Sequence, residues 1–144
     1  MIKHIWSVLC RMASFDAQTN SVSLLSTIEA VTIMGDPSPT TPSILEAELV
    51  SLWSRDDSNQ PVSGKMRAQF IDPTGKDSPP IVLEINLLQS MFHRTRINIG
   101  GIPIILKGLH SFTVELQEDN SDSWELVATI PLLVLTEKPN QVST

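Results

Sequence analysis

Four aspartates lie in two polar segments whose composition suits a calcium ion. The segments are RDDSNQP at 55–61 and EDNSDS at 118–123, and the candidate ligands in them are Asp56, Asp57, Asp119 and Asp122. Calcium takes about six to eight oxygen ligands, which loop carboxylates supply readily. Asp, Asn and Ser are also the residues that turns prefer for local hydrogen bonding. Two interpretations therefore stay open, a calcium site if the two loops meet and ordinary turns if they do not.

The stretch HRTRINIGGIPIILKGLHSF, residues 93–112, concentrates basic residues and glycine and raises the question of an anion site. A phosphate site of the usual kind needs a helix N-terminus directly after its glycines, and no helical pattern follows Gly100-Gly101. Glycine also serves at a bend or β-bulge, because it takes positive φ at little cost. Arg94 and Arg96 alternate with other residues as on the outer face of a strand, where opposite charges on neighbouring strands pair. We expect a bend or bulge at the glycines and a charged strand face.

The histidines and the single cysteine form no recognisable metal or catalytic pattern. His4 and His110 fall on apolar phases of predicted strands, so we expect both to be buried, with His93 exposed. Cys10 has no cysteine partner and forms no internal disulfide. No serine or cysteine lies in a nucleophile-elbow context. The sequence therefore predicts a non-enzymatic protein without a cofactor.

Composition and charge argue against several classes of partner. Hydrophobic residues make up 41% of the 144 residues, charged residues make up 18%, and the net charge is −6. Nucleic-acid binding leaves a basic footprint, and anionic membrane surfaces also attract basic proteins, so we expect neither partner. The apolar run at 5–10 is too short for a secretory leader, and no run approaches the roughly 20 residues of a membrane span. A cytoplasmic location is expected.

Alternation of apolar and polar residues with period two recurs along the chain and predicts strands. The alternating segments are 2–10, 44–53, 66–71, 81–88, 94–99, 110–117 and 124–130. Residues 23–34 stay open between one bent strand, two short strands, and a strand followed by a helical turn. No long helical pattern separates the strands, which argues against a parallel βαβ sheet. We expect an all-β, antiparallel β-sandwich of seven to eight strands.

The breaks between these segments carry turn chemistry. Asp72-Pro73-Thr74-Gly75 has the residues of a tight turn, and we expect both acidic segments to be hairpin loops. One sandwich domain is predicted over 1–135, with a flexible tail at 136–144.

Two runs, 102–106 and 131–135, are apolar on both phases. A strand with one solvated face should alternate. These runs are therefore either central strands buried on both faces or strands that cover an interface.

The three tryptophans, Trp6, Trp53 and Trp124, fall on strand phases that are apolar. An aromatic platform for sugars would need these rings exposed. We therefore expect all three in the core.

Three stretches together resemble a group of small bacterial proteins of unknown function. They are IWSVLCRMASFDAQTNSVSLLSTIEAV near the start, FIDPTG in the middle, and GGIPIILKGLHSFTVELQE with WELVATIPLLV towards the end. The resemblance implies a sandwich of immunoglobulin-like or C2-like outline and brings no catalytic residues with it. Where such sandwiches bind calcium, paired aspartates stand in loops at one end, which again selects Asp56, Asp57, Asp119 and Asp122.

Two functions of different classes follow. The first is a non-enzymatic β-sandwich that acts through protein–protein contact, including association with further copies of itself, since an open sandwich has strand edges available for assembly. The second is a small-ligand or calcium-binding module that uses the loops at one end of the sandwich.

Overall fold

A computed structural model describes residues 1–57 and 59–138, and in this part the chain is all-β, as predicted. Its strands are β1 (Ile2–Phe15), β2 (Val22–Thr27), β3 (Ala30–Met34), β4 (Ser43–Arg55), β5 (Val62–Ile71), β6 (Ile81–Leu87), β7 (Phe92–Ile104), β8 (Gly108–Glu118) and β9 (Glu125–Glu137). Within these described ranges, no helix is long and apolar enough to cross a membrane.

The strands form two sheets that share one apolar core. Sheet A has the order β2-β1-β4-β7, and sheet B has the order β3-β9-β8-β5-β6. Alternate residues of both sheets point into the space between them, including Leu49 and Trp53 from β4 and Met66 and Val114 from sheet B. All neighbouring strands are antiparallel except β3 and β9, which are parallel. The prediction of seven to eight antiparallel strands is therefore wrong in strand number and in this one pairing, since the described part has nine strands.

The extra strand comes from residues 23–34, which divide between the two sheets. β2 pairs with β1 in sheet A, and β3 joins sheet B beside β9. The chain crosses at Ile28, whose N–H donates to the Leu9 carbonyl at 2.8 Å, and at Glu29, whose carbonyl accepts the Leu133 N–H at 2.9 Å. Of the three alternatives that the sequence left open, two short strands is the observed one. Because the chain changes sheets here, a parallel pair forms without the helix that a crossover within one sheet normally needs.

The connections match their sequence chemistry but not always their expected topology. Asp72 accepts the Thr74 N–H at 2.8 Å, and Gly75 has φ of +87°, so the predicted turn is confirmed. Residues 118–123 join two antiparallel neighbours, β8 and β9, as expected. Residues 55–61, however, lead from sheet A to sheet B rather than closing a hairpin. Polar composition marks a turn, but it carries no information about which strand the next one pairs with.

The glycine pair forms a β-bulge in β7, one of the two alternatives expected for it. Leu45 pairs with Ile102 and Glu46 pairs with Gly100, which leaves Gly101 as the extra residue. Gly101 has φ of +96°, a conformation that favours glycine. β7 is an edge strand of sheet A, so the run at 102–106 does not belong to a central strand.

The C-terminal strand extends past the domain boundary that the sequence suggested at 135. Thr136 and Glu137 still belong to β9 and pair with Ile33 and Met34. Residues 139–144, which make up most of the predicted tail, lie outside the described residues.

The far part of the β1–β2 hairpin folds over the outer face of sheet A, and we call residues 11–25 the arm. β1 pairs with β4 only as far as Cys10 opposite Glu48. Beyond that point a second apolar cluster forms, in which Cys10, Ala13 and Val50 are buried. Val50 alternates with core residues of β4, so its burial on the opposite face is due to the arm. This burial also raises the pKa of the Cys10 thiol.

Candidate functional site

The outer face of sheet B carries exposed apolar side chains on neighbouring strands. Met34, Leu109, Leu133 and Leu135 are 64%, 60%, 38% and 46% exposed, respectively. Leu133 pairs directly with Leu109 of β8 on one side and with Ala30 of β3 on the other. Leu135 is the next residue of β9 on the same face, and Met34 is two residues beyond its partner Thr32. These four side chains are called the apolar patch below.

The apolar patch decides between the two interpretations of the run at 131–135, which is apolar on both phases. Leu132 and Val134 are buried in the core, whereas Leu133 and Leu135 face outward. β9 does lie inside sheet B, between β3 and β8, but its outer face is uncovered. Of the two alternatives from the sequence, burial on both faces is therefore wrong.

The edge next to the apolar patch lacks the usual protection against pairing with another chain. β3 has the sequence AVTIM, without a charged residue or proline, and it forms one border of sheet B. Natural edge strands are commonly guarded by charge, proline or a bulge. β7 has two arginines, a proline and a bulge, and β6, the other border of sheet B, contains Glu84.

The two acidic segments lie near the same end of the molecule, where Asp56 bonds to Met1 and Glu118 bonds to the Ile2 N–H. Asp119 donates its N–H to the Ser63 carbonyl at 3.1 Å and accepts the Ser63 hydroxyl through its carboxylate. Asp56 lies 3.1 Å from the α-ammonium of Met1, and the hydrogen bond from this group holds the pKa of Asp56 below its usual value. Asp57 accepts the Asn59 N–H at 2.8 Å.

The fourth aspartate, Asp122, is exposed in the β8–β9 connection. Across residues 1–57 and 59–138, no three His, Cys, Asp or Glu side chains gather closely enough to hold a metal ion. Three of the four predicted ligands also bond to groups of the chain itself. Calcium binding stays a prediction, and it would need backbone oxygens or a rearrangement of these loops.

The predicted burial is correct for His110 and wrong for His93. His110 is buried as expected, with Nδ1 3.0 Å from the Gly108 carbonyl and its ring stacked on Phe70 at 5.1 Å. His93 was expected to be exposed, but it is half-buried, and its Nδ1 accepts the Asn86 N–H at 2.9 Å. Burial lowers the pKa of His93. β6 and β7 are adjacent along the open side of the two sheets, and this tertiary contact covers the ring.

His4 begins a chain of hydrogen bonds that the sequence did not reveal. His4 Nε2 lies 2.7 Å from Ser7 Oγ, which lies 2.7 Å from Ser51 Oγ. Residues three apart normally lie on opposite faces of a strand, but an irregularity between His4 and Trp6 brings His4 and Ser7 onto the same face. Burial lowers the pKa of His4 and favours its neutral form.

These hydrogen-bonded residues are of the types found in a catalytic serine–histidine pair, but their hydroxyl groups are not accessible to a substrate. A cleft of about 470 Å³ opens beside His4, and Ser7 does not line it. Ser51 is fully buried. The hydroxyl that would act as nucleophile is therefore not presented to a substrate in the cleft.

The tryptophans lie in three different environments, and only Trp53 is in the core. Its Nε1 donates to Thr95 Oγ1 at 2.9 Å. Trp6 packs in the cluster under the arm, and Trp124 lies on the outer face of sheet B, 4.3 Å from the Arg67 guanidinium carbon. The expected core position is wrong for both because a register irregularity lies beside each, before Trp6 in β1 and after Trp124 in the β8–β9 pairing. An extra residue reverses the faces of the side chains on one side of it relative to those on the other.

No protein-family model and no curated protein matches the chain. Among solved structures, a family 123 glycoside hydrolase from Clostridium perfringens, described for glycolipid glycan hydrolysis, is 12% identical with a TM-score of 0.44, over 76% of this chain and 23% of the hydrolase. The CooA pilin subunit from enterotoxigenic Escherichia coli is 9% identical with a TM-score of 0.33, over 92% and 99% of the two chains. The chain thus spans about a quarter of the hydrolase, and neither likeness carries a functional argument.

Proposed function

We propose that this protein is a non-enzymatic cytoplasmic module that acts through protein–protein contact, by association of two copies at the apolar patch. An immunoglobulin-like or C2-like type and membership of the group of small bacterial proteins belong to the same proposal. The observation that carries the proposal is the exposure of Met34, Leu109, Leu133 and Leu135 on adjacent strands. Exposed apolar side chains gathered on one face mark interaction sites more often than scattered ones do.

The size of the apolar patch supports an interface with a polar rim. Its four side chains expose on the order of 400 Å², within the range of large patches on soluble proteins. A standard interface buries about 800 Å² on each partner. The apolar patch would therefore form the centre of such an interface, and the polar side chains around it would supply the remainder.

A second copy is the partner that these residues favour. Four of the paired and flanking residues on the same face, Ala30, Thr32, Ser111 and Pro131, are uncharged, and the charged one is Glu137, which pairs with Met34 at the border of the patch. The surface therefore offers little charge pattern with which to select a different protein. A two-fold arrangement places the same patch on both sides of the contact, which requires only that the patch complement itself.

Light scattering after size-exclusion chromatography tests the association. We expect a dimer for the unaltered protein and a shift to monomer for Leu109→Lys. The dissociation constant of the dimer should rise at least about tenfold, because the substitution buries a charge at the contact. Val82→Lys is the matched control, since Val82 is 46% exposed on the outer face of the same sheet but on the distant strand β6. It should remain dimeric.

Three outcomes would contradict the proposal. One is a monomer at the highest accessible concentration, and another is equal dissociation by Val82→Lys and Leu109→Lys. The third is a monomer for Thr32→Pro, on the β3 edge, together with a dimer for Leu109→Lys. This result would place the contact at the strand edge and not on the sheet face. Circular dichroism of each variant shows whether it retains the fold.

Calcium binding at the loop end is the second candidate, favoured by the bonds that hold Asp56 beside Met1 and Glu118, the residue before Asp119, beside Ile2. A ligand that binds only the native state raises the melting temperature. We expect millimolar calcium to raise it, with reversal by chelator and loss of the effect in Asp119→Asn. Asp36→Asn, at an aspartate outside both acidic segments, is the control. If calcium raises the melting temperature equally in Asp36→Asn and Asp119→Asn, or does not raise it at all, these loops are ordinary turns.

A further inference from the structure

A second recess lies on the opposite side of the molecule from the apolar patch, between the arm and the start of β7. Its volume is about 510 Å³, and it is lined by Phe15, Asn20, Leu52, Phe92, His93 and Arg94. We call it the arm cleft. Small-molecule sites commonly measure about 300–1,000 Å³ and combine apolar walls with a few convergent polar groups. The arm cleft has both features.

Arg94 supplies unused hydrogen-bond donors to the arm cleft. Arg96 and Arg67 are each paired with a glutamate, whereas Arg94 forms no ion pair within residues 1–57 and 59–138. Its Nη1 reaches Asn20 Oδ1 only at 3.5 Å, and its Nε is buried without a hydrogen-bond partner. A guanidinium carries five N–H donors in a planar fork that matches a carboxylate. Leaving such donors unpaired in a partly buried place is costly.

Two aromatic rings form the apolar part of the arm cleft. Phe15 and Phe92 are 39% and 60% exposed although both are large and apolar. The ring of Phe15 lies 5.3 Å from the Arg96 guanidinium carbon and 6.0 Å from that of Arg94, which fixes it by cation–π contact. No aspartate or glutamate lines the arm cleft, in a protein with a net charge of −6. The site is therefore locally positive and aromatic.

We infer that the arm cleft binds a small aromatic carboxylate, with the carboxylate on Arg94 and the ring against Phe15 and Phe92. The charge requires an anion, and the exposed rings distinguish an aromatic body from a bare inorganic ion. This site is independent of the proposed association, because it lies on the outer face of sheet A and the apolar patch lies on the outer face of sheet B.

Isothermal titration calorimetry with phenylacetate tests the assignment, with the neutral analogue phenylacetamide and inorganic phosphate as comparison ligands. We expect phenylacetate to bind at least about tenfold more tightly than either, since it alone has both the charge and the ring. Arg94→Gln should weaken phenylacetate by about tenfold or more. Lys65→Gln makes the same change in net charge at an exposed site on sheet B and should leave the affinity unchanged.

Phe92→Ala separates the aromatic part of the inference from the anionic part. It should weaken phenylacetate and leave phosphate unaffected. Arg94→Lys is the second variant if Arg94→Gln fails to fold, because it keeps the charge and loses the planar fork. The inference is overturned by absence of phenylacetate binding at millimolar concentration, by equal affinity for phosphate and phenylacetate, or by an unchanged affinity in the folded Arg94 variant.

Discussion

Glu48 fastens the arm to sheet A, and its replacement should release that contact. Its carboxylate accepts the Ala13 N–H from the arm and the Arg96 Nε–H at 2.8 Å from β7. The Glu48 side chain is 7% exposed, while that of Arg96 is 46% exposed. One buried carboxylate thus joins the arm, β4 and β7.

The expected loss in the free energy of unfolding follows from the unequal burial of these two side chains. Breaking a fully buried ion pair by removing one partner costs about 3–5 kcal/mol. Arg96 already has nearly half of its side chain in water and regains hydration when Glu48 is replaced, so we expect Glu48→Gln to lower the free energy of unfolding by about 2 kcal/mol. In a domain of this size, that lowers the melting temperature by about 4–8 °C.

Urea denaturation of the four proteins in a double-mutant cycle, with Arg96→Gln as the second change, measures the coupling between the two side chains. We expect about 1–2 kcal/mol. Glu46→Gln is the control, because Glu46 lies on the same strand face but is exposed, and it should change stability by less than about 0.5 kcal/mol.

Two results would refute this account of the arm. A coupling near zero would show that the Glu48–Arg96 pair contributes nothing. An equal loss of stability in Glu46→Gln and Glu48→Gln would show that the general charge of this face, and not the buried contact, determines the effect.

Three glycines of the sheets should respond differently to alanine, as urea denaturation would measure. Gly64→Ala should cost more than about 2 kcal/mol, because a Cβ there would lie 2.5 Å from the Gln117 carbonyl oxygen. Gly101→Ala should cost about 1 kcal/mol or more through its φ of +96° alone, since a Cβ there meets no other atom within 4 Å. Gly100→Ala has neither problem and should be nearly neutral, so a large loss at Gly100, or none at Gly64, would contradict the geometry.

Local chemistry made much of the fold predictable from the sequence. The Asp72–Gly75 turn depends on an aspartate side chain two residues from its backbone partner, and the bulge at Gly101 depends on one residue's φ. Alternation identified core strands such as β5 and β8 because the side-chain period of a strand is fixed by its own backbone. The candidate sites were only partly predictable: the aspartates, the apolar runs and the basic stretch at 93–112 stood out in the sequence, but alternation placed Arg94 on a charged strand face and gave no sign of a cleft beside it.

The sequence by itself determined that this chain is all-β, where most of its strands run, and that strand 131–135 has more apolar surface than one buried face uses. Only the tertiary structure decided which sheet each strand joins, that residues 55–61 cross between sheets, and that the arm covers Glu48 and faces Arg94. These features depend on contacts between residues far apart in the chain. Bulges in β1 and in the β8–β9 pairing then reversed the faces of Trp6 and Trp124, because the alternation of a strand fixes faces only up to the next irregularity in its register.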